Sequence, residues 1–344
     1  MTMTTDRYRG ISRRTLLTRS AGAALGVSSI GLGSPHVARA QARKPVKLAI
    51  QFFARGDYAH VYLARERGYY AEQGLDVTFQ HVLGNALAMQ TLTAGNADII
   101  HADLVQMLQL QGRTPDPHMR AVGLMSDKLA LSLFFQKGKG LNGPKDLEGR
   151  SIVDSPGSTA PFIFNLFARA NGIDVNKVAW KNAAATAKVA MMLQSQADAV
   201  AIYLPAKPGI ESKLPTGQEI GNFTFGDSVH IYGDGLITTE KYWQENKKTV
   251  QGFVSATMKG CKDSFADPKA AIDAIAKHFP ELNKETGVKE MQIQATLAEG
   301  PAQKKNGLGY IDPAKMKATY EAVISVLGQP IARPVTDFFT NEAI

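Results

Sequence analysis

Hydrophobic and polar positions along the chain follow two alternating periods. Short apolar or alternating runs predict strands, and longer runs with an apolar residue every three or four positions predict amphipathic helices. Their succession favours a mostly parallel sheet covered by helices. The predicted strands of this first set are VKLAIQFF (46–53), LDVTFQHV (75–82) and ADIIHA (97–102). The predicted helices are YAHVYLARERGYYAEQG (58–74, with a break at Gly68), NALAMQTLTAG (85–95, N-capped by Asn85) and DLVQMLQLQG (103–112).

The same succession recurs further along the chain. LTAGNAD (92–98) and MLQSQAD (192–198) both run from a helix end into an apolar strand, which is a weak internal repeat. Beyond about residue 238 the pattern is mainly helical, so two α/β lobes and a helical C-terminal part are expected. The second set comprises the strands RSIVDSPG (150–157), KVAWKNA (177–183) and ADAVAIYLP (197–205), and the helices STAPFIFNLFARANG (158–172) and ATAKVAMMLQSQ (185–196).

The first forty residues have the composition of an export signal. A basic segment (6–20) precedes an apolar, Gly-rich run (21–33), and HVARA places small residues before a cleavage point at Gln41. SRRTLL (12–17) is similar to the twin-arginine motif, with an ordinary Sec signal as the alternative. The apolar run is shorter than the roughly 20 residues that a transmembrane helix needs. We predict a signal peptide at 1–40 and an exported, soluble, periplasmic protein.

Charge and cysteine content narrow the class of protein. The formal charge of +8 includes six arginines and one aspartate in residues 1–40, so the rest of the chain carries about +3. Such a small excess argues against nucleic acid as a partner. Cys261 is the single cysteine, which excludes an intrachain disulfide and suggests a small core residue.

One stretch, AGNADIIHADL (94–104), places two carboxylates and an imidazole close together. Side chains alternate on a strand, so Asp98 points away from His101 and Asp103, and the three cannot bind one metal ion. Asp103 is better interpreted as the N-cap of the next helix, and His101 as a packed or pocket-lining residue. The chain also lacks Gly-x-Ser-x-Gly, His-Glu-x-x-His and phosphate-loop motifs. We therefore predict no catalytic residues, metal or cofactor.

The order of several motifs resembles one known family. LTAGNADIIHAD (92–103), PKDLEGRSIVDSPGST (144–159) and FARANGIDVNKV (167–178) are similar to the substrate-binding proteins of ABC importers. The similarity is to the branch of nitrate, sulfonate, taurine and pyrimidine-precursor (NMT1/THI5-like) binders. It implies a two-lobed periplasmic-binding-protein fold of type II, with a ligand held in the cleft by hinge closure. It also implies a permease and an ATPase as partners, and a monomer without catalytic activity.

The resemblance and the predicted elements together give lobe boundaries and a candidate site. Lobe 1 is expected at 41–127 and 229–344, and lobe 2 at 128–228. In open α/β sheets, ligands lie beyond the C-terminal ends of strands and against helix N-termini. That rule selects thirteen residues: Gln51, Phe52, Phe53, Asp57, Tyr58, Gly84, Asn85, Asp103, Ser155, Gly157, Ser158, Thr159 and Tyr203.

Two classes of ligand would use these residues differently. An oxyanion such as nitrate or an alkyl sulfonate such as taurine needs N–H donors, hydroxyls and a cation, which the PGST loop (156–159) and Arg55 offer. A flat heteroaromatic needs rings for stacking and polar groups at its edge. The candidates include four aromatic residues, as well as carboxylates that would repel an anion. They favour a pyrimidine-precursor-like heteroaromatic ligand.

Two further alternatives concern the class of protein. Some NMT1/THI5-like proteins are pyrimidine synthases that carry a Cys-rich motif, which a chain with one Cys does not match. The effector domain of a transcription regulator has the same architecture but needs a helix-turn-helix segment, and this N-terminus offers an export signal instead. The sequence therefore predicts a binding protein and not an enzyme.

Overall fold

The computed structural model describes residues 42–344. The predicted signal peptide and its cleavage site lie outside the described residues. Among residues 42–344, no helix combines the length and the apolar character needed to cross a membrane.

Ten strands form two sheets in the described chain. They are β1 (Lys44–Ile50), β2 (Leu75–His81), β3 (Ile99–Asp103), β4 (Met119–Leu124), β5 (Leu131–Gln136), β6 (Ser151–Asp154), β7 (Ala179–Asn182), β8 (Ala199–Tyr203), β9 (Ile220–Thr224) and β10 (Asp234–Thr239). The first sheet has the order β2-β1-β3-β10-β4, and the second has the order β7-β6-β8-β5-β9.

Each sheet contains one reversed strand. β1 pairs in parallel with β2 and β3, whereas β10 runs antiparallel to β3 and β4. In the second sheet β6 pairs in parallel with β7 and β8, and β5 runs antiparallel to β8 and β9. Four of the five strands in each sheet therefore point the same way, which confirms the predicted mostly parallel sheets.

Helices flank both sheets and make up the C-terminal part. They are α1 (Ala59–Glu66), α2 (Tyr69–Glu72), α3 (Asn85–Thr93), α4 (Leu104–Arg113), α5 (Ala160–Ala170), α6 (Lys188–Leu193), α7 (Lys207–Glu211), α8 (Glu240–Glu245), α9 (Lys247–Ala266), α10 (Pro268–Ala276), α11 (Lys284–Ala298), α12 (Pro301–Asn306) and α13 (Pro313–Leu327). Gly68, at φ 76°, separates α1 from α2 at the predicted break. Cys261 on α9 is buried, as expected.

The internal repeat is visible in the hydrogen bonds of two aspartates. Asp98 precedes β3, and its Oδ2 accepts a hydrogen bond from the backbone N–H of Lys47 on β1 (2.8 Å). Asp198 precedes β8, and its Oδ2 accepts one from the N–H of Ser151 on β6 (2.8 Å). The two "AD" motifs therefore fix equivalent strand pairs in the two sheets, and Asp98 is a structural residue.

Several local predictions differ from the structure. β1 ends at Ile50, and residues 51–54 form a bend that leaves the sheet. Asn85 is the first residue of α3, and Gly84 (φ 105°) takes the cap position instead. The sequence patterns also give no sign of β4, β5, β9 or β10. For β5 the reason is plain: all six of its residues are buried, so the alternation that marks a half-exposed strand is absent.

Two short segments connect the sheets. Residues 125–130 join β4 to β5, and residues 225–233 join β9 to β10. The N–H of Gly226 donates to the carbonyl of Leu129 (3.2 Å), and that of Gly233 donates to the carbonyl of Ser126 (3.1 Å). We call residues 125–130 and 225–233 the crossover segments. The lobe boundaries expected after residues 127 and 228 fall within them, and the division into lobes stays a prediction.

Candidate ligand-binding site

A cavity of about 70 Å³ lies where C-terminal ends of strands from the two sheets approach each other. We call it the inner cavity. Ten of the thirteen candidate residues line it, and their part in binding remains a prediction. They are Gln51, Phe52, Tyr58, Gly84, Asn85, Ser155, Gly157, Ser158, Thr159 and Tyr203.

A bridge of hydrogen bonds closes one wall of the inner cavity. Asn85 at the start of α3 donates from Nδ2 to the hydroxyl of Tyr203 at the end of β8 (2.7 Å). The Tyr203 hydroxyl in turn donates to Oδ2 of Asp103 (2.9 Å). The side chain of Asn85 therefore connects the two sheets, and its Oδ1 accepts a hydrogen bond from the N–H of Asp103 (2.9 Å).

Asp103 lies behind this wall and does not line the inner cavity, contrary to its selection as a ligand partner. It is the N-cap of α4, as predicted, and its Oδ1 accepts hydrogen bonds from the N–H groups of Val105 and Gln106 (2.7 and 3.4 Å). Burial raises the pKa of Asp103, and these bonds and that from Tyr203 oppose the rise. Both oxygens have partners within the chain, so neither is free for the edge of a ligand.

Asp57 is likewise absent from the cavity lining. Its carboxylate forms a two-point ion pair with the guanidinium of Arg55, at 3.0 and 2.6 Å. The guanidinium lies over the ring of Phe52, with 4.9 Å to its centroid. Asp57 therefore neutralises and orients Arg55, so neither group is available as the lone charge that a charged ligand would require.

The two adjacent phenylalanines have different positions. Phe52 lines the inner cavity, whereas Phe53 lines a neighbouring, larger cavity of about 360 Å³, which we call the outer cavity. Their rings pack edge to face, with centroids 4.9 Å apart. Phe52, Ala185 and Ile202 line both cavities, so these residues form the wall that the two cavities share.

In the loop before α5, polar groups donate hydrogen bonds to a carboxylate of the chain itself. Asp154, at the end of β6, accepts hydrogen bonds from the N–H of Ser155 (2.7 Å) and the hydroxyl of Ser158. Its Oδ1 also pairs with Nζ of Lys188 (2.8 Å), and the two side chains are only 4% and 7% exposed. Neither Ser158 nor Thr159 caps α5 with its side chain, since the hydroxyl of Thr159 bonds Gln106 instead.

Sequence reasoning missed residues that shape this region. Asp154 is the last residue of β6, so the rule of strand C-terminal ends would have selected it alongside Ser155. Lys188 gave no such sign, because a lysine in a helical pattern normally faces solvent. Leu131 belongs to a strand that the pattern did not reveal. The further lining residues are Leu83, Ala86, Leu131, Asp154, Pro156, Ala160, Ala185, Lys188, Ala201 and Ile202.

A group of buried polar residues lies behind Gln51. Gln51 Nε2 donates to Oδ2 of Asp234 (2.6 Å), and His101 Nε2 lies 3.8 Å from the same oxygen. The ring of His101 packs against Tyr58 and His60, so His101 is a packed residue. Burial lowers the pKa of His101, which favours its neutral form. In the described part of the chain, no group of three or more His, Cys, Asp or Glu residues is arranged to hold a metal ion.

The carboxyl group of Glu290, on α11, is buried near Arg55, and burial changes its pKa. Its Oε2 accepts a hydrogen bond from the N–H of Gly56 (2.7 Å). Burial raises the pKa of Glu290 from 4.5 to about 7, with Asp57 adding to the rise and Arg55 and Gly56 opposing it. A raised pKa in the folded state favours the protonated form, so the resulting stability is complete below pH 4.5 and is lost as the pH rises through about 7.

Glu290→Gln should therefore be less destabilised than the wild type as the pH rises from 5 to 8. The expected gain relative to the wild type at pH 8 is about 2–3 kcal/mol, because each pKa unit corresponds to about 1.4 kcal/mol. Urea unfolding at four pH values measures it as a difference curve. Glu285→Gln, on the exposed face of the same helix, is the control and should leave the curve flat above pH 5. A flat curve for Glu290→Gln would contradict the assigned burial effect.

Comparison with known proteins gives one family and a common fold. The profile of the NMT1/THI5 like family matches residues 55–271. The riboflavin-binding protein RibY of Chloroflexus aurantiacus is 23% identical over 306 residues, which cover 87% of this chain and 86% of that protein. The aliphatic sulphonate binding protein SsuA of Escherichia coli has a TM-score of 0.67 at 12% identity and covers 83% of this chain and 87% of its own. SsuA of Xanthomonas axonopodis pv. citri, bound to MOPS, has a TM-score of 0.66 at 16% identity and covers 86% and 96%.

At these low identities the solved structures establish the architecture alone. They confirm the predicted two-lobed periplasmic-binding-protein fold, with two five-stranded sheets flanked by helices. By their names, one of these proteins binds riboflavin and the other two bind alkyl sulfonates, so the choice of ligand for this chain also depends on its own cavity.

Proposed function

This chain belongs to the NMT1/THI5-like family, and on that premise we propose that it is the solute-binding component of an ABC importer for an uncharged, flat heteroaromatic ligand. The ligand would lie in the inner cavity and leave it chemically unchanged. Its edge would meet polar atoms of the strand ends, and its faces would meet aromatic rings.

One observation carries this choice: the charged groups at the inner cavity are already paired within the chain. Lys188 is bound to Asp154, and beside the cavity Arg55 is bound to Asp57. Asp154 also takes the N–H of Ser155 at the loop before α5, where a ligand anion would otherwise be favoured. An anionic ligand would have to displace a carboxylate or accept its repulsion at close range.

The lining of the inner cavity suits a ring. Phe52, Tyr58 and Tyr203 contribute aromatic side chains, and Leu83, Leu131 and Ile202 contribute apolar ones. Aromatic faces and a few well-placed polar groups are the usual composition of sites for flat organic ligands.

Cavity size sets how such a ligand would sit. An apolar cavity of about 150 Å³ accommodates benzene. The inner cavity has about 70 Å³, so a single ring enters only if the cleft widens, and a larger ligand must extend past Phe52 and Ile202 into the outer cavity. A riboflavin-like molecule, with a fused ring and a polar tail, has that shape, and the name of the Chloroflexus relative supports this class.

Two alternatives remain weaker. The alkyl sulfonate ligands of the SsuA proteins would meet the Asp154 carboxylate in this chain. A pyrimidine synthase is disfavoured because the relatives named above are binding proteins. We therefore propose a binding protein rather than an enzyme.

Transport would use a hinge at the crossover segments. The bridge from Tyr203 to Asn85 joins the two proposed lobes only when the cleft is closed, so contacts in both lobes would shift the population towards the closed form. The closed form would then dock on a membrane permease driven by an ATPase. Export by the predicted signal peptide would place a soluble monomer in the periplasm.

A panel of ligands tests the proposal. Riboflavin, uracil, taurine and nitrate are each titrated into the purified protein, with melting temperature and calorimetry as readouts. Stabilisation by a heteroaromatic compound is expected, since a ligand that binds only the folded state raises the melting temperature. Stabilisation by taurine or nitrate alone would overturn the proposal.

Two neighbouring phenylalanines provide a matched pair for the same assay. Phe52→Ala should weaken binding of a single-ring ligand by about tenfold or more, because aromatic stacking on a base contributes about 1–3 kcal/mol. Phe53→Ala removes a ring that lines the outer cavity and only supports Phe52 by edge-to-face packing, so it should weaken binding of a single-ring ligand less than Phe52→Ala does. Equal effects of the two substitutions would argue against the inner cavity as the site.

A further inference from the structure

Gln51 is a buried side chain with one end fixed and the other end free. It is 2% exposed and lines the inner cavity. Its Nε2 donates to Oδ2 of Asp234 (2.6 Å). Its Oε1 has no hydrogen-bond partner among the described residues. Because the amide is planar, the bond to Asp234 fixes the direction in which the oxygen points.

A second unpartnered oxygen lies on the other sheet's side of the cavity. The buried hydroxyl oxygen of Ser155, in the loop after β6, also lacks a partner in the described chain. By contrast, the lining side chains of Asn85, Ser158 and Tyr203 are all engaged with other residues. Gln51 and Ser155 therefore each bring a buried, unpartnered oxygen to the lining of the inner cavity, where Tyr58 adds a further hydroxyl.

We propose that Oε1 of Gln51 accepts a hydrogen bond from a ring N–H of the ligand, so that the ligand is a lactam or imide heterocycle. The adjacent ring carbonyl is then available to the Ser155 hydroxyl as an acceptor. This inference rests on the proposed function and narrows it from flat heteroaromatics to those with an N–H on the buried edge. A carboxylate or sulfonate group offers only acceptors and would face Oε1 with no donor.

The expected selectivity follows from the cost of an unpaired buried acceptor. A site built to bond an N–H rejects the analogue that lacks it, because the buried oxygen then has no partner. The preference for an N–H ligand over its N-methyl analogue should be at least about tenfold in the wild type.

The test compares two ligand pairs in two proteins. The pairs are riboflavin with 3-methylriboflavin, in which a methyl group replaces the imide hydrogen, and uracil with 1,3-dimethyluracil. The proteins are the wild type and Gln51→Met, which keeps the length of the side chain and removes the amide. Dissociation constants come from flavin fluorescence and calorimetry. The tenfold preference should fall to about threefold or less in Gln51→Met, since the acceptor is gone.

Gln136→Met is the matched control. Gln136 is a buried glutamine at the far end of β5 from Leu131, and its Nε2 donates to the carbonyls of Met192 and Leu193. This variant should lose stability while keeping the wild-type preference between the members of each pair. It separates a general effect of removing a buried amide from a specific effect on recognition.

The outcomes separate the inference from the proposed function. Equal binding of both members of a pair by the wild type would overturn the role of Gln51 and leave heteroaromatic binding standing. A preference that persists in Gln51→Met would mean that the methyl group is excluded by its size, which also overturns it. If no heterocycle of either pair binds, the proposed function fails and the inference fails with it.

Discussion

Replacing Asp154 by asparagine is expected to lower the free energy of unfolding by about 3–5 kcal/mol, because the buried ammonium group of Lys188 loses its counter-charge. Lys188 then retains the carbonyl of Ala201 (2.7 Å) as its remaining partner in the described chain. Denaturant unfolding of the wild type and the variant at pH 7 measures the difference. Adding Lys188→Met to the variant should recover part of the loss, since the unpaired charge is then removed.

A more exposed ion pair in the same lobe supplies the control for this substitution. Asp198 pairs with Arg150 at 3.3 Å, but the two side chains are 35% and 36% exposed. Asp198→Asn should therefore cost less, about 1–2 kcal/mol, because exposed ion pairs contribute little and the amide oxygen of asparagine can still accept from the N–H of Ser151. Equal losses at the two aspartates would contradict the argument from burial.

Asp154→Asn also has an expected effect on ligand choice. Removing the carboxylate leaves Lys188 and the loop before α5 without an internal anion, so taurine or nitrate should bind the variant more tightly than the wild type. Calorimetric titration of both proteins with taurine measures the change. Unchanged weak binding would show that Asp154 is not what excludes anions from this site.

Gly226→Ala is expected to lower the free energy of unfolding by about 3 kcal/mol through steric overlap. An added Cβ would lie 2.4 Å from the carbonyl oxygen of Leu129 and 2.8 Å from Cγ of Lys128. Both contacts belong to the other crossover segment, so the overlap pushes the two segments apart. Unfolding in urea measures the loss, and small-angle scattering with and without ligand measures whether the cleft still closes.

Gly143 provides the comparison for that substitution. A Cβ at Gly143 would meet no atom within 4 Å, and neither glycine has a φ in the left-handed region. Gly143→Ala should therefore change stability by less than about 1 kcal/mol. Comparable losses in the two variants would mean that the close approach of the crossover segments does not contribute to the free energy of unfolding.

The positions of most residues that line the inner cavity were predictable from the sequence. Periodicity placed the C-terminal ends of β1, β6 and β8 within three residues of those in the structure, and the rule that ligands lie beyond strand ends led to Gln51, Ser155 and Tyr203, which all line the inner cavity. The rule holds because parallel strands in one sheet end at the same edge.

The same rule failed where a local hydrogen bond uses the side chain. Asp103 follows a strand and therefore satisfies the rule, but it also begins a helix, and the free N–H groups of α4 take its carboxylate. Asp57 satisfies the rule as well and is taken by Arg55, two residues before it. Position along a strand says where a side chain lies and not whether its polar atoms are free.

The sequence by itself determined the repeated strand–helix order, the helical C-terminal part and the edge of the sheets where a ligand would lie, because each depends on short-range periodicity. Only the tertiary structure decided the charge available in the cavity. Asp154 and Lys188 are 34 residues apart, and Gln51 and Asp234 are 183 apart. Contacts between residues so far apart in the sequence produce no periodic pattern, so a single sequence does not reveal them. Because these contacts pair the charged groups, the cleft suits an uncharged ring.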